Sequence, residues 1–204
     1  MKNYIIGIIC LSMAIAAFGG CKKKDTTIEN LKSAITGETT ASKKYAAFAQ
    51  KAKEEKLDKI AKLFEAASNA EAAHAKKHTA VLEKLGEKMG GMDIKVGVKS
   101  TKENLEEALK GETYEIDSMY PGFIKTAKEE AKDEAVNSFD WAFQVEKMHQ
   151  ALYKAAIDAL AKNDLKNLPD TYAVCPICGN TVAGKAPKTC PICGAPQADF
   201  MVIK

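Results

Sequence analysis

An excess of charge of either sign is missing from this 204-residue chain: 30 Lys and Arg stand against 27 Asp and Glu, a net charge of +3. The first 20 residues hold one lysine and no acid, so the remainder carries about +2. That balance leaves no basic footprint for nucleic acid, and that class of function is set aside. Cysteine is scarce as well. Apart from Cys10 and Cys21, the remaining four lie near the C-terminus, so thiol chemistry belongs there. Global disorder is excluded, because 46% of the residues are hydrophobic and the length suffices for one medium domain with a small appendage.

The N-terminus is ordered like a targeting segment: Lys2, an apolar run from Tyr4 to Phe18, then Gly19-Gly20-Cys21 and Lys22-Lys23-Lys24. Small residues before a cysteine point to a bacterial lipoprotein signal with the lipid on Cys21, although Phe18 stands where such signals usually carry leucine. An ordinary signal peptide and an uncleaved anchor are the alternatives, and both also take the chain out of the cytoplasm. The expectation is an exported, membrane-anchored protein on the periplasmic or cell-surface side of a bacterium. Residues 1–21 then form the signal and anchor, 22–165 a main domain and 166–204 a small one.

The main domain reads as four helices. Ile28, Leu31, Ile35, Tyr45, Phe48 and Ala52 recur at helical spacing with Glu38 in the stripe. Ile60, Phe64, Ala67, Val81 and Leu85 form a second stripe that also holds Glu71, His74 and His78, and Gly86 with Gly90-Gly91 ends it. The aperiodic segment to Ser100 is longer than a tight hairpin needs and predicts a crossover. Ser100-Thr101 with Glu103 opens a third helix with Leu105, Leu109, Glu112, Glu115, Met119 and Phe123 inward, and Pro121 predicts a kink just past Glu115. The fourth spans about Lys132 to Lys162, with Phe139, Ala142, Glu146, His149, Tyr153, Ala156 and Leu160 inward.

A repeat runs through these helices. Leu31 to Thr39 matches Leu105 to Thr113 at an offset of 74, and Glu71-x-x-His74 matches Glu146-x-x-His149 at an offset of 75. A duplicated hairpin joined by one long crossover is a four-helix bundle of ferritin-like connectivity, a mainly α fold.

Five carboxylates (Glu38, Glu71, Glu112, Glu115 and Glu146) and two imidazoles (His74 and His149) stand where the period calls for leucine or isoleucine. One such residue would be read as satisfied by a neighbour, as His78 is here. Seven, six of them at mirrored positions, are not so easily satisfied: several ionised carboxylates facing one another each cost several kcal/mol unless cations neutralise them or they take up protons. Each Glu-x-x-His puts its two side chains on one helix face. One Glu from each of two helices plus a Glu-x-x-His from each of the other two is the di-iron or di-manganese carboxylate pattern, and hard oxygen donors favour those metals over zinc. Glu115 is additional, and its counterpart in the first repeat is Ala41. Tyr45 and Tyr120 read either as aromatic packing or as hydrogen-bond donors that orient ligand carboxylates.

The small domain carries Cys175-Pro-Ile-Cys178-Gly179 and, after a spacer, Cys190-Pro-Ile-Cys193-Gly194. Paired Cys-x-x-Cys knuckles hold a metal in a thiolate tetrahedron, iron or structural zinc, with two disulfides as a weaker alternative. Their Pro and Gly flanks resemble rubredoxin.

From about Ile28 to Lys204 the chain resembles rubrerythrin. The resemblance is carried by Gly37-Glu38 with Tyr45, Glu71-x-x-His74, Gly111-Glu112-x-x-Glu115 followed by Met119-Tyr120-Pro121, Glu146-x-x-His149 and the two knuckles. It implies two irons held by Glu38, Glu71, His74, Glu112, Glu115, Glu146 and His149, with Glu115 and a histidine exchanging as the oxidation state changes. It implies a single iron on Cys175, Cys178, Cys190 and Cys193, the reduction of hydrogen peroxide to water, and a homodimer in which one subunit's rubredoxin domain lies beside the other's di-iron site. Glu115, Tyr45 and Tyr120 are then the residues expected around the chemistry. Members of this family are usually cytoplasmic and draw on nicotinamide-linked reductases, so an exported chain leaves its electron donor open. A ferroxidase or oxidase, or an iron-binding storage module with a zinc ribbon, are the competing functions.

Overall fold

The computed structural model describes residues 26–204. Cys10, Cys21 and the signal and lipid-anchor reading of residues 1–21 lie outside the described residues. No helix among the described residues is long and apolar enough to cross a membrane.

Helices α1 (Thr26–Glu54) and α2 (Asp58–Lys84) form the first hairpin. The second is built from α3 (Thr101–Tyr114), a π-helical turn (Glu115–Met119), α4 (Tyr120–Glu129) and α5 (Asp133–Ala161). Gly86 takes the left-handed conformation at the end of α2 (φ 83°), and the Glu87 amide donates back to the Leu82 carbonyl, closing the helix. From there to Ser100 the chain has no regular secondary structure, as a crossover requires. At Ser100 a reciprocal capping box starts α3: the Glu103 amide donates to the Ser100 hydroxyl oxygen and the Ser100 amide to the Glu103 carboxylate.

The repeat is visible in the backbone. Lys56 and Ala131, 75 residues apart, are both left-handed at the hairpin turns, and the amides of Leu57 and Lys132 donate to the carbonyls of Ala52 and Ala127. The π-turn explains why the offset changes. Glu38 and Glu112 differ by 74, whereas Tyr45 and Tyr120, Phe48 and Phe123, and Phe64 and Phe139 differ by 75. One extra residue in a helix is absorbed as a π-bulge, and here the Tyr120 amide donates to the Glu115 carbonyl five residues back. Where a proline kink is expected, the structure thus has a widened turn, with Pro121 harmless in the first turn of α4.

Two apolar clusters bracket the polar layer. One holds Tyr45, Phe48, Phe64, Leu105 and Tyr153, and the other Leu31, Ile35, Val81, Tyr120 and Phe139. Truncating a ring such as Phe64 or Phe139, both fully buried, costs about 3–5 kcal/mol. That apolar burial offsets the polar layer between the clusters.

The C-terminal unit is a three-stranded antiparallel sheet in the order β2 (Thr181–Ala183), β1 (Tyr172–Val174), β3 (Met201–Ile203). Tyr172 pairs with Ala183 on one side and Ile203 on the other. Leu168, Tyr172, Val174 and Ile203 join the apolar cluster of α1 and α2, so this unit packs on the bundle of its own chain. Lys59 reinforces the joint by donating to the carbonyls of Lys166 and Leu168, each at 2.8 Å.

Candidate metal centres

Between the apolar clusters, eight donor atoms converge in two groups. Nδ1 of His74 lies 2.8 Å from Glu71 Oε2, 2.9 Å from Glu146 Oε1 and 3.9 Å from Glu38 Oε2. Nδ1 of His149 lies 3.1 Å from Glu71 Oε1, 2.9 Å from Glu146 Oε2 and 3.9 Å from Glu112 Oε2. Each half therefore has one imidazole and three carboxylate oxygens. Glu71 and Glu146 give one oxygen to each half and are placed to bridge, while Glu38 and Glu112 each serve one half. The two groups, Glu38, Glu71, His74, Glu146 and Glu71, Glu112, Glu146, His149, each lie within 4.8 Å.

Six of these atoms are buried with no hydrogen-bond partner outside the cluster: Glu38 Oε2, both Glu71 oxygens, His74 Nδ1, Glu112 Oε2 and Glu146 Oε1. Orphaned buried polar atoms are rare, and six in one cluster fit a pair of cations. The oxygens turned away from the centre are satisfied. Tyr45 donates to Glu112 Oε1 at 2.7 Å, and Tyr120 donates to Glu38 Oε1. Of the two readings of the tyrosines, the orienting hydrogen bond is realised for both. The pairs are crossed, since each tyrosine serves the glutamate of the other hairpin.

The electrostatics agree with a site built for positive charge. Burial pushes Glu38 up to about 8 and holds Glu112 well above the usual carboxylate range, with neighbouring carboxylates adding to both. Burial opposes ionisation of Glu71 too, but the charges of His149 and His74 hold that residue down to about 2. Burial disfavours the imidazolium forms of His74 and His149, yet Glu146 facing the first and Glu71 facing the second raise both above the ordinary range.

Glu115 belongs to neither donor group. It sits on the π-turn and lines an open hollow with Gly37, Tyr114 and Met119. Burial, then the charge of Glu38, push its carboxyl well above the usual range. His78 is a satisfied core histidine, bonded to Ser138 Oγ at 2.7 Å and Tyr120 at 3.2 Å.

The second centre is the cysteine knuckles. Gly179 and Gly194 are left-handed (φ 76° and 80°), and their amides donate to the carbonyls of Cys175 and Cys190 at 2.9 Å each. All four cysteines are free, with Sγ atoms 3.5 Å apart in the pairs Cys175–Cys193 and Cys178–Cys190. That separation excludes disulfides at about 2.05 Å and suits the edge of a thiolate tetrahedron.

The two centres meet through contacts that no sequence motif foretells. Nε2 of His74 lies 3.1 Å from the Cys178 carbonyl, which only accepts, so Nε2 carries a proton and Nδ1 is the nitrogen turned to the carboxylates, the one that would ligate once its own proton is lost. Nε2 of His149 lies 3.0 Å from the Thr181 hydroxyl, which itself donates to the Gly179 carbonyl. Nε2 is again the donor, and Nδ1 is the nitrogen turned to the carboxylates. Within one chain, the rubredoxin-like unit thus lies beside the carboxylate–histidine cluster of its own bundle.

A ferritin-like bundle with mirrored carboxylate–histidine donors, joined to a four-cysteine knuckle unit, defines the class of di-iron carboxylate proteins with a rubredoxin-like module. The Rubrerythrin family model matches residues 29–157, and the model for the rubrerythrin rubredoxin-like domain matches residues 174–201. The chain belongs to the rubrerythrin family. It is 38% identical to nigerythrin of Nitratidesulfovibrio vulgaris over 178 residues, covering 86% of this chain and 85% of that one. It is 34% identical to rubrerythrin-2 of Clostridium acetobutylicum, covering 87% and 97%. A structure of fully reduced, all-ferrous nigerythrin matches with a TM-score of 0.77 at 37% identity over 86% of both chains. Bacterioferritin of Rhodobacter capsulatus, at 24% identity and a TM-score of 0.61 over 69% of this chain and 89% of that one, shares the fold.

Proposed function

We propose that this protein is a peroxidase that reduces hydrogen peroxide to water at the di-iron centre of the bundle, with electrons relayed from an iron on the four cysteines. The observation that carries this reading is the 3.1 Å contact between His74 Nε2 and the Cys178 carbonyl, which ties a candidate ligand of one centre to a candidate ligand of the other. When bound, a ferrous pair supplies the two electrons that, with two protons, split peroxide into two waters, and a thiolate-held iron restores them singly.

The chain's own groups do the rest. Glu71 and Glu146 span the two halves and fix their spacing. Glu115, whose carboxyl is pushed well above the usual range by burial and then by the charge of Glu38, lines the hollow beside Gly37 and Met119 that opens to solvent and is the candidate acid. Tyr120 offers a second O–H beside Glu38. A storage protein has no evident need of the relay that the two joined centres provide.

The test is to reduce the protein without oxygen and mix it with peroxide. Rapid return of the ferric thiolate absorption is expected, with two irons in the bundle and one at the cysteines. Zinc at the cysteines, or reoxidation by oxygen and not by peroxide, overturns the reading in favour of a storage module or an oxidase. We infer in addition that the protein is exported and held to the membrane through Cys21, with a homodimer as the working assembly. Cys21→Ser should then release it from membranes, and light scattering should give twice the chain mass.

A further inference from the structure

The two halves of the dimetal site match in their donors and differ in what stands behind their tyrosines. Tyr45 and Tyr120 are repeat mates, and so are Tyr153 and His78, each pair 75 residues apart. Behind Tyr45 lie the rings of Phe48, Phe64 and Tyr153, with centroids 6.1, 6.2 and 5.7 Å away, and the buried Tyr153 hydroxyl has no hydrogen-bond partner. Behind Tyr120 stands His78, fully buried, with Nε2 at 3.2 Å from the phenol oxygen and Nδ1 at 2.7 Å from Ser138 Oγ.

The directions of these bonds follow from counting protons. Tyr120 has one O–H and gives it to Glu38 Oε1, so its oxygen receives from His78 Nε2–H. Burial holds the His78 pKa down to about 3, so the ring is neutral and has no second N–H. Nδ1 is then an acceptor, and the Ser138 hydroxyl donates to it. Ser138, His78 and Tyr120 thus form a chain of three hydrogen bonds that all point toward Glu38. Aligned bonds polarise one another, and a carboxylate that accepts a stronger hydrogen bond is a weaker donor to a metal.

We propose that His78 is a positioning residue: with Ser138 it locks Tyr120 as a one-way donor to Glu38 and makes the two halves of the centre chemically unequal. The His74 half has the weaker carboxylate donor, which favours the ferrous state there. It is also the half whose histidine touches Cys178. The inequality stands whether or not peroxide is the substrate; only its use for ordered electron entry rests on the function proposed above.

Two measurements decide it. In the metal-free protein at alkaline pH, where Glu38 is a carboxylate, nitrogen NMR should place the His78 proton on Nε2, and the Tyr120 hydroxyl proton should resonate far downfield. His78→Gln puts an amide N–H where Nε2 stands and should keep that downfield resonance, whereas His78→Leu and Ser138→Ala should move it upfield. A His78 proton on Nδ1, or a hydroxyl resonance unmoved in both Ser138→Ala and His78→Leu, overturns the proposal. In the iron-loaded protein, the half-reduced state, read by electron paramagnetic resonance, should be less stable in His78→Leu by about tenfold in its comproportionation constant, and His78→Gln should restore it. An unchanged constant overturns the inequality of the halves. Should His78→Leu fail to fold, Ser138→Ala and His78→Gln carry the test, and the NMR arm involves neither iron nor peroxide.

Discussion

The hydroxyl of Tyr45 on α1 donates to Glu112 on α3 at 2.7 Å, across the bundle, rather than to Glu38 two turns away on its own helix. The bond leaves only Glu112 Oε2 to face the metal group and so fixes that carboxylate as a one-oxygen donor. Tyr45→Phe should preserve the fold, because the ring still packs on Phe48 and Phe64. It should lower ferrous affinity in the His149 half by about 10–100-fold and spare the other half. Anaerobic iron titration, with the two binding steps resolved, checks this.

That crossing marks the limit of what the sequence reveals. The helices, the capping box at Ser100 and the inward Glu and His positions were legible because a 3.6-residue period repeated over a duplicated hairpin constrains every face. The π-turn was written in the chain too, as the one-residue difference between the offsets of the Glu-Thr and Glu-x-x-His matches. A proline nearby offered a simpler cause and masked it. By contrast, the contacts of His74 with Cys178 and of His149 with Thr181 depend on how a sheet of nine paired residues docks on α2 and α5. Periodicity places a side chain on a face and says nothing of which neighbouring unit covers it. Ser138 was invisible for the same reason, since its role comes only from facing His78.

Gly179 and Gly194 occupy equivalent places in the two knuckles, yet a substitution at each should have different consequences. Both are left-handed, so alanine at either costs about 1–2 kcal/mol. A Cβ on Gly194 would meet nothing within 4 Å, whereas one on Gly179 would lie 2.3 Å from His74 Nε2 and 3.0 Å from the Ala70 carbonyl. Gly194→Ala should therefore lower Tm modestly and leave electron exchange between the centres intact. Gly179→Ala should lower Tm further and slow reoxidation of the cysteine iron by at least about tenfold, because the His74 contact must open. Thermal melts and stopped-flow absorption on the pair separate the two effects.

Metal loading should release protons. Glu38, Glu112, His74 and His149 all hold their protons above their ordinary ranges, so near neutral pH protons occupy donor atoms that ligation requires. As pH rises through these values the competition weakens, so ferrous affinity increases, by about tenfold per pH unit for each proton displaced. Acidification has the opposite sign and strips the metal. Glu71, held down to about 2, contributes nothing to this window. Calorimetry in buffers of different ionisation enthalpy measures the released protons directly, and a pH-independent affinity would contradict the assignment.

Glu115 owes its position to the extra residue in the π-turn, and the first repeat offers only Ala41 at the matching place. Because it stands outside both donor groups, Glu115→Ala should fold normally and bind iron at wild-type stoichiometry. Turnover with peroxide should nonetheless fall by about 100-fold, the contribution typical of a positioned general acid. Glu115→Gln keeps the shape and a donor N–H but cannot release a proton, so it should be impaired in the same step. If iron content collapses in either variant, Glu115 is a ligand that completes the site once metal is present. If turnover survives in both, the proton comes from elsewhere, and Tyr120 beside Glu38 is the next group to replace. Metal analysis and single-turnover kinetics on the same preparations separate these outcomes.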